Sequence, residues 1–281
     1  MGANADDQAI RRLARAVTSD HAGPESALPG AAIDAGPAAV PALRDLLRDK
    51  DDDIRFRAMT ALAYIGGDSA LVVLEREYRR TPAVGTKSLL CAALATRGTP
   101  EDRAFLARSL KGEHFGSEWM PIVSAALSLG ILRAADSRGA LEAAASMKEG
   151  LASQAAAQAL LWLSDGRSRV TGIDVNSDTG AVVAAVLANG VPRMDEARAF
   201  ADTARNGVWQ RNDHEWTFRR SRLPQHLPEV SFVPHISRNG KAAVVSVSIT
   251  FGSLNASGYD FVLWKDSSGW HPVAIFFTWI S

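Results

Sequence analysis

Four segments of the chain repeat one apolar pattern. Ala61-Leu62, Ala93-Leu94, Ala126-Leu127 and Ala159-Leu160 follow one another at intervals of 32, 33 and 33 residues, each inside an Ala/Leu-rich stretch with apolar residues at helical spacing. Three of these stretches close on glycine: ALAYIGG (61–67), AALATRG (92–98) and AALSLGI (125–131). Glycine readily takes the left-handed conformation past a last helical turn, so the pattern predicts helix ends there. Between the landmarks the spacing predicts second helices. Val40, Leu43, Leu46 and Leu47 mark the clearest, with equivalents around Leu71/Leu74/Tyr78, Leu106/Leu110 and Leu141/Ala145. A helix pair repeated at this period finishes burying its apolar face only against its neighbours, which predicts an α-solenoid over residues 25–166, the alternative being an ordinary helical bundle. Residues 5–18 predict a capping helix, followed by a Gly/Pro loop, HAGPESALPG (21–30).

After Gly166 the period changes. The segment GRSRVTGIDVNSDTG (166–180) carries turn and polar signals without helical periodicity and reads as a domain junction. Two short helices are expected next, over Gly180 to Ala188 and over Asp195 to Arg205, and from Glu215 the chain becomes strand-like. In Lys241 to Phe251, Ala243, Val245, Val247, Ile249 and Phe251 alternate with Ala242, Val244, Ser246, Ser248 and Thr250. Tyr259, Phe261 and Leu263 continue the alternation. Lys265 to Gly269 turns the chain into a strand over Trp270 to Ile280. In that strand Val273, Ile275, Phe277 and Trp279 alternate with Ala274, Phe276 and Ile280, so both faces are apolar and both should be covered. The expected fold class is an α-solenoid of helix pairs (1–166) followed by a smaller α+β domain with an antiparallel sheet (167–281), each with its own core.

The stretch AAVPALRDLLRDKDDDIRFRAMTALAYIGGDSALVVLERE (38–77) resembles the HEAT-repeat class, in particular its short bacterial type named after phycobilisome lyases. The resemblance rests on the P-A-L-x-x-L-L helix, the acidic turn Asp49 to Asp53, the Ile54-Arg55 step and the Ala-Leu-x-x-Ile-Gly ending. It covers residues 25–166 with decreasing fit, since Thr86-Lys87, Trp119-Met120 and Ala152-Ser153 stand where later repeats would carry the Ile-Arg step. It implies HEAT-like helix pairs, and the family name implies a bilin lyase or chromophore chaperone as one activity to weigh; the acidic turn makes sense on its own chemistry too, since an aspartate such as Asp52 or Asp53 can cap the following helix. Gly258-Tyr259, Gly269-Trp270 and Trp279-Ile280-Ser281 resemble a bacterial domain without an assigned activity, and the C-terminal order of helices and strands, with a hairpin ending in GWHPVAIFFTWIS, resembles the cystatin-like or nuclear-transport-factor-2-like group. There a curved sheet wraps a helix and no activity is fixed by the fold.

Composition then narrows the classes of function. The chain has 281 residues, 47% hydrophobic and 22% charged, enough apolar surface to close a core. Thirty-one Lys+Arg against 31 Asp+Glu give zero formal net charge, which argues against a grip on phosphate backbones. No segment has the length and apolar character of a membrane span, so membrane insertion is not expected. The opening MGANADD lacks the regions of a secretory signal, and the compartment stays open, cytoplasmic or extracytoplasmic after signal removal. The single cysteine, Cys91, can build neither an intrachain disulfide nor a thiolate zinc site, and its apolar neighbours make it a small buried hydrophobe.

Candidate chemistry is sparse. Asn212-Asp213-His214-Glu215-Trp216, with His226 and His235, is the densest polar constellation, but adjacent strand residues point to opposite faces, so a solvated turn is the stronger reading. Arg219-Arg220-Ser221-Arg222, beside Trp209, Trp216 and Phe218, marks an exposed edge or a protein contact. His271, next to Trp270 in the last strand, reads as a hydrogen-bonded structural histidine. No nucleophile elbow, phosphate loop or dinucleotide fingerprint is present, and no cofactor or metal is called for. The expected function is non-enzymatic protein binding as a scaffold, adaptor or inhibitor-type protein, with a ligand-binding or catalytic pocket in the C-terminal domain as the alternative. Candidate contacts are Arg48, Arg79 and Lys111, each five residues after a core leucine of a second helix, and Trp119; possible pocket or contact residues are His214, Trp216, Arg219, Arg220 and Arg222. The three cations fit either a partner-binding stripe or simple complementation of helix C-termini.

Overall fold

A computed structural model describes residues 2–19, 27–111, 119–147, 150–164, 177–189, 208–212, 215–219, 229–250 and 256–280. The helices come first: α1 (Gly2–Thr18), α2 (Ala27–Ala35), α3 (Val40–Leu46), α4 (Asp52–Ile65), α5 (Gly67–Arg80), α6 (Val84–Leu94), α7 (Pro100–Ser109), α8 (Trp119–Ile131), α9 (Arg138–Ala145), α10 (Leu151–Ser164) and α11 (Asp178–Asn189). An antiparallel meander follows: β1 (Val208–Asn212), β2 (Glu215–Arg219), β3 (Glu229–Ile236), β4 (Ala242–Thr250), β5 (Ala256–Asp266) and β6 (Gly269–Ile280), in spatial order β1-β2-β3-β4-β5-β6.

The four Ala-Leu landmarks fall on α4, α6, α8 and α10, and these helices pack in that order, α4 on α6, α6 on α8 and α8 on α10. The helices between them, α5, α7 and α9, lie against the row and present a polar side outward. The sequence accounts for both positions. In α8 every residue from Pro121 to Gly130 is buried, as expected of a helix apolar all round, whereas α5 buries Leu71 and Leu74 and exposes Val72, Arg76 and Arg79. Hydroxyls stitch the row. Ser88 and Ser124 share a 2.8 Å hydrogen bond, and Ser128 Oγ donates to the Cys91 carbonyl at 2.9 Å.

Helix ends confirm part of the expected chemistry and correct the rest. Gly66 (φ 61°) and Gly98 (φ 63°) are left-handed and their N–H groups close α4 and α6 onto the Leu62 and Leu94 carbonyls. Gly130 is not a cap. It lies inside α8, where an added Cβ would come within 2.5 Å of Trp162 Cε3 and 2.9 Å of Ala159 Cα on α10, and the left-handed residue is instead Arg133 (φ 49°). The α4 cap is Asp51, whose carboxylate accepts from the Asp53 and Ile54 N–H groups, so Asp52 and Asp53 occupy the first turn instead of the cap. Of the expected loop over 21–30, residues 21–26 lie outside the described residues and the rest is helical. Residues 27–30 open α2, where Pro29 sits in the first turn at no hydrogen-bonding cost.

The strands obey the expected alternation, and the turn at 265–269 joins β5 to β6. Register places Asp260 opposite Phe276 and Tyr259 opposite Phe277, so the two phenylalanines point to opposite faces. Phe276 stacks on Tyr64 of α4 (centroids 4.3 Å), while Phe277 meets Trp119 of α8 edge-on (5.7 Å). The edge strand β6 is thus held from both faces by helices of the inner row. On the sheet, α11 packs against β3, β4 and β6 with Val182, Val183 and Val186 fully buried. The buried apolar side chains of helices and sheet form one continuous cluster, so the expected pair of separate cores gives way to a shared one. Most of the expected junction, 165–176, and the expected helix over 195–205 lie outside the described residues.

Candidate partner-binding face

The outer helices carry the predicted cations at their C-terminal ends. Arg48 follows α3 and stands 3.7 Å from Asp45; Arg79 closes α5 and stands 3.7 Å from Glu75; Lys111 follows α7 and is exposed. Side chains of Arg48 and Arg79 are 74% and 75% exposed, too open for their local pairs to contribute much stability. Aligning the outer helices on Leu43, Leu74 and Leu106 brings out two further cations that are absent from the sequence-based candidates. Arg76 and Arg108 stand two residues after their leucines and are exposed, whereas α3 carries Asp45 at that position. The same alignment that yielded Arg79 and Lys111 held the signal.

A polar framework fixes α5 to α7 beneath these side chains. The Arg97 guanidinium, in the turn between α6 and α7, donates to Glu75 of α5 at 2.7 Å and to both Asp102 oxygens at 2.6 and 2.9 Å. Asp102 also forms a capping box with Thr99. Burial alone would raise the Asp102 carboxyl, but the Arg97 hydrogen bond and the Thr99 backbone and side chain together outweigh it and hold it below the usual range. Above the network the rings of Tyr78 and Phe105 meet edge to face at 5.9 Å. Arg103 continues the linkage to Asp136, before α9, at 3.1 Å.

The remaining candidates divide. Trp119 is half-buried against β6 and packs with the core. His214, Arg220, Arg222 and His226 lie outside the described residues, while Trp216 and Arg219 lie in β2, in register with Arg211 and Val208 of β1. His235 places Nε2 3.3 Å from Asp34 of α2, and its ring lies 3.1 Å from where a Cβ on Gly30 would stand. In the β5–β6 turn, His271 lies beside Ser268 (2.8 Å) and Asp266 (3.0 Å). This is not a catalytic triad, because serine and aspartate converge on the same imidazole nitrogen and Ser268 also hydrogen-bonds Asp266. The Ser268 hydroxyl and N–H hold the Asp266 carboxyl below its ordinary range, a turn-capping role. Cys91 is buried, and burial pushes its thiol up to about 12, so it carries no thiolate at neutral pH.

One buried carboxyl stands out. Tyr64 donates to Asp260 Oδ2 at 2.5 Å across the contact between α4 and β5, and Ser246 of β4 bonds the same side chain. Burial pushes this carboxyl above its ordinary range even though both hydroxyls oppose the shift. It is packed under Phe276 rather than open to a cavity. The cleft nearby, lined by Val123, Leu127, Leu151, Gln154, Ala155, Tyr259 and Phe277, has room for about one water molecule and contains no acid or histidine. Among the described residues no group of three metal-ligating side chains occurs and no helix is long and apolar enough to cross a membrane. In comparison with known proteins, no family model matches the chain and no curated protein matches it in sequence.

Proposed function

We propose that the chain is a protein-binding scaffold or adaptor that engages its partner through the outer face of a HEAT-like solenoid. The observation that carries this reading is that β6 of the same chain occupies the inner row at α4 and α8, which leaves the outer helices as the accessible repeated surface. Repeats stacked in register present equivalent positions side by side, and Arg48, Arg79 and Lys111 occupy one such position. No described constellation unites a nucleophile, a base and an orienting group, which is why binding rather than catalysis is favoured. The sheet domain, read as cystatin-like, serves to brace the helical row.

The reading is tested by cross-linked affinity purification of the full chain from its native cells, beside the triple variant R48E/R79E/K111E. Partners recovered with the wild type should be lost from the variant, while its melting temperature falls by only a few degrees, as expected for helix-end charges worth about 0.3–1 kcal/mol each. Recovery of the same partners by both proteins overturns the outer-face reading.

A further inference from the structure

We infer that the C-terminal halves of α5 and α7 form a docking surface for an acidic peptide segment of a partner protein. This deepens the outer-face reading and rests on it. Residues 76–111 hold eight Lys/Arg against three Asp/Glu, net +5, within a chain whose formal net charge is zero. Arg76 and Arg79 are exposed three residues apart on α5, and Arg108 and Lys111 repeat the same step at α7. The two helices touch through Tyr78 and Phe105 and are clamped by Arg97, which holds the two exposed cation pairs in a fixed relation to each other.

Most acids of this segment are already engaged, the exception being Glu101, exposed in the first turn of α7 seven residues before Arg108. Glu75 and Asp102 bind Arg97, and Glu77, nearly buried, binds Arg80 at 2.7 Å. Glu75 lies 3.7 Å from Arg79, whereas Arg76, Arg108 and Lys111 form no ion pair among the described residues. The patch also has an edge. On α3 the position of Arg76 and Arg108 is taken by Asp45, which pairs with Arg48, and Asp49, Asp51, Asp52 and Asp53 follow. Arg48 therefore stands in a neutralised setting outside the docking surface.

Spacing and surroundings select the occupant. Cations three residues apart on a helix are separated by about 4.5 Å along its axis, which matches carboxylates three or four residues apart on a helical peptide. Val72, 61% exposed, lies on the same stripe as Arg76 and Arg79 at i, i+4 and i+7, so one apolar contact accompanies the charges. An apolar residue within the patch and the absence of a basic excess in the whole chain favour an acidic peptide with an apolar residue over a nucleic acid.

The test is fluorescence anisotropy at low salt with the full chain and a fluorescein-labelled synthetic peptide bearing Glu pairs three residues apart and one Leu. Wild type should bind with an affinity that drops as salt is raised, and R76E/R108E should bind at least about tenfold more weakly. The control R12E on α1 should change affinity by less than about twofold. Circular dichroism checks the fold of each protein. If the charge reversal disrupts it, R76Q/R108Q replaces it, with at least about threefold weakening expected. A wild type that does not bind the peptide, undiminished binding by a folded double variant, or tighter binding of labelled single-stranded DNA through the same residues overturns the inference. Partner capture that still depends on Arg48, Arg79 and Lys111 while the peptide fails leaves the outer-face reading standing and removes only this one.

Discussion

Asp260 is the residue where the local chemistry departs most from its surroundings. A carboxyl at 5% exposure has its pKa raised in the folded chain, because burial outweighs the two hydroxyls, Ser246 and Tyr64, that oppose the shift. A raised carboxyl binds its proton more tightly folded than unfolded. Its stabilising contribution is therefore full below the ordinary carboxylate pKa and is lost as pH rises through the folded value. Asp260→Asn should remove this slope while preserving the shape and a donor-acceptor group. We expect the urea midpoint of the wild type, relative to Asp260→Asn, to decline as pH rises from the ordinary carboxylate range upward. Parallel midpoints across that range would mean that Asp260 is ionised and otherwise compensated. Asp102 contributes with the opposite sign, its depressed pKa giving stability that is present above the ordinary carboxylate value and lost as pH falls through the folded one.

At the scale of elements, the close approach of α8 to α10 yields a substitution whose effect opposes helix propensity. Gly130→Ala adds a good helix former in mid-helix, yet its Cβ meets the Trp162 ring and the α10 backbone, so we expect destabilisation of about 1–3 kcal/mol in urea unfolding. A stabilised variant would show that α8 and α10 can separate freely. The same position explains what the sequence did and did not disclose. Apolar period announced α4, α6, α8 and α10, and alternation announced β4, β5 and β6, because both are properties of a single element. Gly130 shows why the rest stays hidden, since a terminal glycine and a packing glycine look alike until the partner helix is known. Likewise Asp51, Asp52 and Asp53 are equivalent in sequence, and only the backbone conformation of Asp51 singles it out as the cap. Arg76 and Arg108 are legible through the leucine alignment, but their significance depends on Tyr78 meeting Phe105.

For the whole molecule, the controlling fact is that helices and sheet share a core. A helical fragment ending near Asp165 would lose only a terminal interface if its inner row were free. Here it would also uncover Tyr64, Trp119, Val123 and Leu127. We expect residues 1–165 to keep helical circular dichroism but to melt well below the full chain and to bind 8-anilinonaphthalene-1-sulfonate, the dye that reports exposed apolar surface. A fragment with the full chain's melting temperature and no dye binding would separate the two cores after all. Removal of residues 276–281 should act from the other side, deleting Phe276 and Phe277 from between α4 and α8 and promoting aggregation.

The grip of α4 and α8 on β6 also has a meaning for biosynthesis. The inner helices leave the ribosome long before the strand that covers them, since some 140 residues separate Ile131 from Phe276. At about 5–20 residues per second the helical row waits on the order of ten seconds with its apolar side open. Throughout that interval the nascent chain is a client for chaperones, and a ribosome stalled between α10 and β6 would display a sticky, half-covered row rather than a finished domain.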